Sequence, residues 1–252
     1  MMPYMRAIVR RRQRALADSD AAIAVSEYIA ARAVRPIVGS ERTRVIHNPI
    51  DAAEVERVAA TAPDRQLPKR FVLFVGKLSR SKGAWLALEA FASLADPGAA
   101  LVMVGDGPDR FALETASRER GLAVRFVPWV ENREVWRIMR RAAAILVPSL
   151  WPESLSRTVT EAMTVGVPVI ATDCGGIHDQ IENRVSGAVL SPEPSAFAAE
   201  LAHVLSDPGV GRAWTDAARR TIASRFDVGT VLPRIESLYA EVVEKRLELA
   251  RG

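Results

Sequence analysis

From Phe71 onward the chain alternates unbroken apolar runs with amphipathic stretches, and this alternation constrains the fold more than any other feature. Phe71–Val75 and residues 99–104 each run into a glycine, and residues 124–128, 143–147 and 168–172 continue the series. Between them lie segments of helical period: Trp85, Leu88, Phe91 and Leu94, then residues 111–121, 133–141 and Arg157–Val165. A strand with one wet face alternates apolar with polar residues, whereas these runs are apolar but for Arg125 and Thr172. Strands of that kind are buried on both faces. The predicted class is therefore α/β, a Rossmann-like parallel sheet with helices on both faces. Ligands of such sheets bind beyond the carboxyl ends of the strands, where the glycines and several charged residues of this chain fall.

The flanks are less regular. Residues 4–17 read as a basic helix, 21–25 and 44–46 as short strands, and Ser26 as the cap of a helix over 27–34. Asn48-Pro49 marks a turn, and residues 52–69 read as a polar, alanine-rich connector with Pro63 and Pro68. Three further helices are expected over 195–205, 212–225 and 231–250. Apolar residues make up 49% of the chain and charged residues 25%, the proportions of an ordinary globular protein. The net charge of +4 is partly local, because Arg6, Arg10, Arg11, Arg12 and Arg14 crowd the first helix. The single cysteine, Cys174, excludes an internal disulfide and suits a reducing compartment. No apolar run approaches the ~20 residues that span a bilayer, and no secretory leader follows the first arginines. His47, His178 and His203 have no metal-ligand spacing with other donors, so no metal is expected. No nucleic-acid partner is expected either.

The chemistry concentrates in residues 149–163, Ser-Leu-Trp-Pro-Glu-Ser-Leu-Ser-Arg-Thr-Val-Thr-Glu-Ala-Met. A strand runs into Pro148-Ser149, a turn follows, and a helix begins near Ser156 and stops at Gly166-Val167-Pro168. Glu153 hangs in the loop ahead of the helix, and Glu161 sits about a turn inside it. Free backbone N–H groups at a helix N-terminus favour an anion, and both carboxylates can face a ligand lying across it. Carboxylates that accept hydroxyl hydrogen bonds, beside a phosphate cradle, suit a nucleotide-activated sugar. The structural alternative for an acid here is complementing the helix dipole, worth ~0.3–1 kcal/mol, but Glu161 lies too deep for much of that. Lys77 and Lys82 stand beside the Gly76 and Gly83 turns, with Arg80 between them. Cations there can neutralise a diphosphate and the departing nucleoside diphosphate; the alternative is solvated loop lysines. A dinucleotide site is disfavoured, because no G-x-G-x-x-G follows a strand and opens a helix.

Four segments in order resemble one family. They are Glu153 and Glu161 with Ala162-Met163 and the run 166–176; Phe74-Val75-Gly76-Lys77 through Gly83; residues 101–108 around Gly105-Asp106-Gly107; and Ala24-Val25-Ser26 with residues 45–51. This pattern resembles the C-terminal, donor-binding half of retaining glycosyltransferases of the GT-B fold, the group called family 4 or glycosyl transferases group 1. The resemblance implies that Lys77 and Lys82 stabilise the leaving diphosphate and that Glu153 contacts the transferred sugar, making these three the catalytic set. It implies that Glu161 holds the ribose hydroxyls. Gly76, Arg80, Gly105, Ser154, Leu155, Ser156, Arg157 and Thr158 complete the expected donor site. The family usually has arginine where this chain has Lys77, and lysine keeps the charge without the bidentate fork. Ser154-Leu155-Ser156-Arg157 stands where the family usually reads Pro-Phe-Gly-Leu. Ser156, at the glycine position, is expected to offer its backbone N–H and a hydroxyl that caps the helix or touches phosphate. Gly175-Gly176 is expected to allow close approach to a ligand or a tight helix entry.

The resemblance also implies that roughly 150 residues, a domain's worth, should precede Asp20. Residues 1–64 are read as the remnant of an acceptor domain with its linker, 65–225 as the nucleotide-sugar domain and 226–252 as a C-terminal helix. The expected reaction is transfer of a hexose-type unit from a nucleoside diphosphate sugar to an acceptor hydroxyl with retention, without a cofactor. The acceptor is unspecified, and a separate chain carrying the acceptor domain is one expected partner. The alternative is a truncated or split module that binds nucleotide sugar and turns nothing over. The basic helix has two readings: contact with anionic lipid at the inner face of the membrane, or a face left bare by the missing domain. The second is preferred, and the expected location is cytoplasmic.

Overall fold

Alternate residues of each central strand enter two separate cores in the computed structural model, which describes residues 3–251 apart from Ala95 and Pro97. Met1, Met2 and Gly252, which fall within the outer predicted segments, lie outside the described residues. The large sheet has six strands: β3 (Phe71–Val75), β4 (Ala100–Val104), β5 (Val124–Val127), β6 (Ala144–Val147), β7 (Val169–Thr172) and β8 (Ala188–Leu190). Their order is β5-β4-β3-β6-β7-β8, and every pairing is parallel. Phe71, Leu73, Val102 and Ile145 point to one face, where α4 (Ala52–Ala59), α7 (Asn132–Met139), α8 (Arg157–Val165) and α10 (Pro208–Arg225) supply Val55, Ile138, Met163 and Ile222. Val72, Phe74, Leu101 and Met103 point to the other, against Phe91 of α5 (Ala84–Ala92), Leu113 of α6 (Arg110–Glu119) and Phe197 of α9 (Pro194–Ser206). Two-faced burial is the reason β3, β4 and β6 are apolar at every position, whereas the edge strand β5 carries Arg125.

The connections decide where a ligand can sit. From β3 the chain passes through α5 to β4 and on to β5, then returns through α7 to place β6 on the opposite side of β3. The loops leaving β3 and β6 therefore diverge over the carboxyl edge of the sheet, and a crevice opens between them. Gly166, in the left-handed region at φ 81, ends α8 and turns the chain into β7.

One expectation needs correcting. The stretch 52–69, read as a polar connector beginning the boundary at residue 65, is helical over Ala52–Ala59. Asp51 caps this helix by accepting the Glu54 N–H at 2.9 Å, and Val55, Val58 and Ala59 are buried. Packing of the large unit thus begins at Ala52. The period of Ala52, Val55, Val58 and Ala59 was visible in the sequence, but the flanking charges masked it.

The preceding residues form a smaller unit. β1 (Ala22–Ala24) pairs in parallel with β2 (Thr43–Val45), beneath a helical stretch made of α2 (Glu27–Ile29), a π segment (Ala30–Val34) and α3 (Arg35–Val38). Pro36 has no N–H to give the preceding turn, and the widened π segment ends just before it. Helix α1 (Pro3–Ala17) meets this unit through its last turn, where Leu16 joins the core of Ala24, Ala30 and Val38. Arg42 ties the pieces together, donating to the carbonyls of Val38, Ala17 and Ser19 at 3.0, 3.1 and 2.8 Å. Helix α11 (Val228–Arg251) returns across the small unit: Val231 and Leu238 pack with Ile46, and Arg246 pairs with Asp20 at 2.6 Å. No helix of the described residues is long and apolar enough to cross a membrane.

Candidate functional site at the switch point

The crevice is built by close backbone contact. Gly105 ends β4 at φ 135, and a Cβ there would lie 2.1 Å from the Gly76 carbonyl oxygen. Only glycine allows the β3 and β4 exits to approach this closely. Beside them a cavity of about 350 Å³ is lined by Gly76, Lys77, Gly105, Asp106, Trp129 and Asn132, among others. Lys77 is exposed here and makes no ion pair among the described residues. Arg80 stands elsewhere: its guanidinium lies 5.5 Å from the Trp85 ring centroid, and Trp85 donates to Asp109 at 3.1 Å. Arg80 lines neither of the cavities at the strand exits.

On the other side of the crevice, Lys82 and Glu153 hold one another. Lys82 ends a 3-10 turn (Arg80–Lys82) after β3, Glu153 sits in the loop after β6, and Lys82 Nζ lies 2.6 Å from Glu153 Oε1. Ser149 Oγ donates to the same oxygen at 2.5 Å. The loops are also joined through their backbones, with the N–H groups of Leu150 and Trp151 donating to the Ser81 carbonyl at 2.9 and 3.2 Å. Two residues assigned to different parts of a ligand by the sequence thus form one ion pair across the switch point. Gly175 and Gly176 receive the backbone of this loop: Gly176 N–H donates to the Glu153 carbonyl at 2.8 Å, and a Cβ on Gly175 would lie 2.1 Å from that oxygen. Their expected close approach is to residue 153. Ser154 is exposed, with its carbonyl against Gly176.

The N-terminus of α8 departs from expectation at Ser156. This residue is buried, its hydroxyl does not cap the helix, and its N–H is already taken, donating to Gln180 Oε1 at 2.9 Å. Gln180, 1% exposed, also donates through Nε2 to the Ser156 carbonyl and to Thr160 Oγ1, each at 2.7 Å. The expected N–H offered by Ser156 is therefore spent inside the protein. The N–H groups of Arg157 and Thr158, the next two in the helix, make no hydrogen bond among the described residues and are the ones available to an anion.

Glu161, a turn farther in, faces a second cavity of about 400 Å³ lined by Leu155, Arg157, Thr160, Trp136 and the linker residues Pro49, Ile50 and Asp51, among others. Arg157 Nε donates to Glu161 Oε1 at 2.9 Å. Trp136 turns its indole N–H toward this carboxyl without closing a hydrogen bond of normal geometry. Burial pushes the Glu161 carboxyl above the ordinary carboxylate range, against the pull of Trp136 and Arg157. Adjacent residues of α7, Val135 and Trp136, line the two cavities. A larger groove of about 500 Å³ between β2 and α11 is lined by the Arg44–Glu241 pair, among others, and lies at no strand exit of the large sheet.

Three contributors escaped the sequence reading. Trp129 is 72% exposed just past β5, and the rule that ligands sit beyond strand ends could have found it. Gln180 and Trp136 left no such signal, because their roles arise from contacts distant in sequence.

These features define a class: a doubly wound α/β domain with cations, carboxylates and free helix N–H groups gathered where the strand order reverses. The chain belongs to the glycosyl transferases group 1, whose family model matches residues 60–221. It is 35% identical over 200 residues to the 2-deoxystreptamine glucosyltransferase of Streptomyces kanamyceticus, an alignment covering 73% of this chain and 51% of that protein. It is 32% identical over 206 residues to the glycogen synthase of Mycobacterium tuberculosis, covering 80% and 49%. The fold is similar to that of Anabaena HepE, solved in complex with UDP, at a TM-score of 0.76 and 23% identity over 91% of this chain and 68% of that one. The chain spans about half the length of the curated relatives it matches.

Proposed function

We propose that this chain is the donor-binding half of a retaining glycosyltransferase that uses a nucleoside diphosphate sugar. The observation that carries this reading is the placement of Lys82, Glu153, the free N–H groups of Arg157 and Thr158, and Glu161 in the loops that leave β3 and β6 and the first turns of α8. In this reading the base lies in the cavity beside Trp129 and the ribose hydroxyls donate to Glu161. The diphosphate lies against the α8 N-terminus with Lys77 and Lys82, while Glu153, oriented by Lys82 and Ser149, accepts from the sugar hydroxyls. As the bond from the anomeric carbon to the β-phosphate oxygen breaks, negative charge grows on that oxygen, and cations and N–H groups already in place stabilise it. The acceptor oxygen bonds to the same face of the carbon and gives its proton to the leaving phosphate, so charge and atoms balance.

The acceptor site belongs, in this proposal, to a further domain, in line with the greater length of the relatives. The exposed Tyr4, Met5 and Val9 of α1 are assigned to contact with that domain rather than with lipid. The second reading is a module that binds nucleotide sugar without turnover. The test is titration with UDP, GDP and ADP, with Glu161→Ala as control. The expected result is binding of one of them, weakened at least tenfold in the variant. Binding unaffected by Glu161→Ala, or none by folded protein, would remove the donor-site reading. Slow release of free sugar from the matching nucleotide sugar would separate enzyme from binding module.

A further inference from the structure

Arg157 is an odd choice for its position. It is the first residue of α8, where the partial positive charge of the helix end disfavours a cation. Its pairing with Glu161 runs arginine to glutamate along the chain, the less favourable order for a helical pair. Its side chain is 71% exposed and that of Glu161 7%, so water screens the arginine end. Helix stability does not account for it. Arg157 does supply the charged partner of a carboxylate that burial would otherwise leave uncompensated, and both side chains line the 400 Å³ cavity.

The surroundings offer the guanidinium a second place. Glu161 lies four residues along, about 6 Å down the helix axis, while the free N–H groups of Arg157 and Thr158 lie in the arginine's own turn. An arginine in that turn can reach down to the carboxylate or outward to an anion held by the N–H groups, and its planar fork suits phosphate oxygens as well as carboxylate. Arg157 bonds Glu161 through Nε alone, and a guanidinium that turns its fork outward to an anion gives up this bond. Ribose hydroxyls donating to Glu161 replace the hydrogen bond that Arg157 now supplies.

We propose that Arg157 is an exchangeable counter-ion that orients Glu161 in the empty site and transfers to the diphosphate when ribose hydroxyls take over the carboxylate. This rests on the donor-site reading above and deepens it. Arg157 becomes a specificity residue that favours nucleoside diphosphates over nucleosides, because it competes with the ribose and attracts the diphosphate. The linkage is reciprocal: occupancy of Glu161 by ribose and capture of phosphate by Arg157 strengthen one another.

The experiment measures dissociation constants of uridine and UDP, with guanosine and GDP, and adenosine and ADP, in parallel. Wild type is compared with Arg157→Leu and Arg157→Lys, with melting temperature as the folding control. For the matching base, Arg157→Leu is expected to leave nucleoside affinity unchanged or tighter and to weaken the diphosphate at least tenfold. Arg157→Lys is expected to recover part of the diphosphate affinity through its point charge. Equal weakening of nucleoside and diphosphate by Arg157→Leu would overturn the exchange, leaving a fixed support for Glu161. No change in either would reduce the contact to a surface ion pair. If wild type binds no nucleoside diphosphate at all, the donor-site reading itself falls, and the exchange with it.

Discussion

At the scale of single residues, the role proposed for Glu161 is set against stability. Its carboxyl is buried and titrates above the ordinary range, so the folded protein keeps a proton that the unfolded chain releases. Stability from this group is full below the unfolded carboxylate pKa and is lost as pH rises from there through the folded value. Glu161→Gln keeps the shape and removes the buried charge. We expect the variant to melt higher at pH 7 by roughly 2–4 °C, the effect of ~1 kcal/mol in a domain of this size, and to lose nucleotide affinity. Melting curves between pH 4 and 7 check this; a variant as pH-dependent as wild type, or less stable at pH 7, would contradict it. That Glu161 has a role other than complementing the helix dipole was legible, because it lies too deep in the helix for much of that. Its partner was not, because nothing in the sequence says which way Arg157 turns.

At the scale of elements, α8 depends on a neighbour far along the chain. Gln180 satisfies the Ser156 N–H and carbonyl and the Thr160 hydroxyl from the 3-10 segment Gly175–Asp179 and its end. Gln180→Leu leaves the Ser156 N–H buried without a partner, at a cost of ~1–3 kcal/mol, although the Ser156 carbonyl keeps the Thr160 N–H and hydroxyl, and it loosens the helix end that presents the Arg157 and Thr158 N–H groups. The expected outcome is a lower urea midpoint and a larger loss of affinity for a nucleoside diphosphate than for its nucleoside. Gln180→Glu, which can still accept the Ser156 N–H, should retain more of both. Equal losses for nucleoside and diphosphate would show that Gln180 acts on stability alone. The helix was legible from its period and its Gly166 stop; that its first N–H was already spent was decided by packing of the β7 exit.

At the scale of the whole molecule, the two units meet through a buried imidazole. His47 Nδ1–H donates to the Val25 carbonyl at 2.9 Å, and Nε2 accepts from Arg225 at 3.2 Å. The ring stacks on Phe226 at 4.6 Å. Burial, with the nearby Arg225 charge, holds its pKa below the ordinary value against the pull of the Val25 carbonyl. The unfolded chain therefore takes up a proton first as pH falls, and stability is lost from about pH 6.5 downward. His47→Gln removes that proton uptake. Between pH 7.5 and 5.5 its melting temperature should fall less than that of wild type; parallel curves would show that the junction does not titrate. The sequence marked a turn at Asn48-Pro49, but the contacts of His47 beside it reach Arg225 and Phe226, far along the chain.

Two properties were determined by the sequence alone: the parallel sheet and the family. Apolar runs at every position require burial on both faces, and glycines at strand exits mark where backbones approach. The tertiary structure decided the rest. It paired Lys82 with Glu153, withdrew Arg80 to Trp85, spent the Ser156 N–H on Gln180 and joined Arg157 to Glu161. Each is a choice between partners that chain-local patterns cannot express, because a charge or hydrogen-bond donor takes the partner that folding brings within reach.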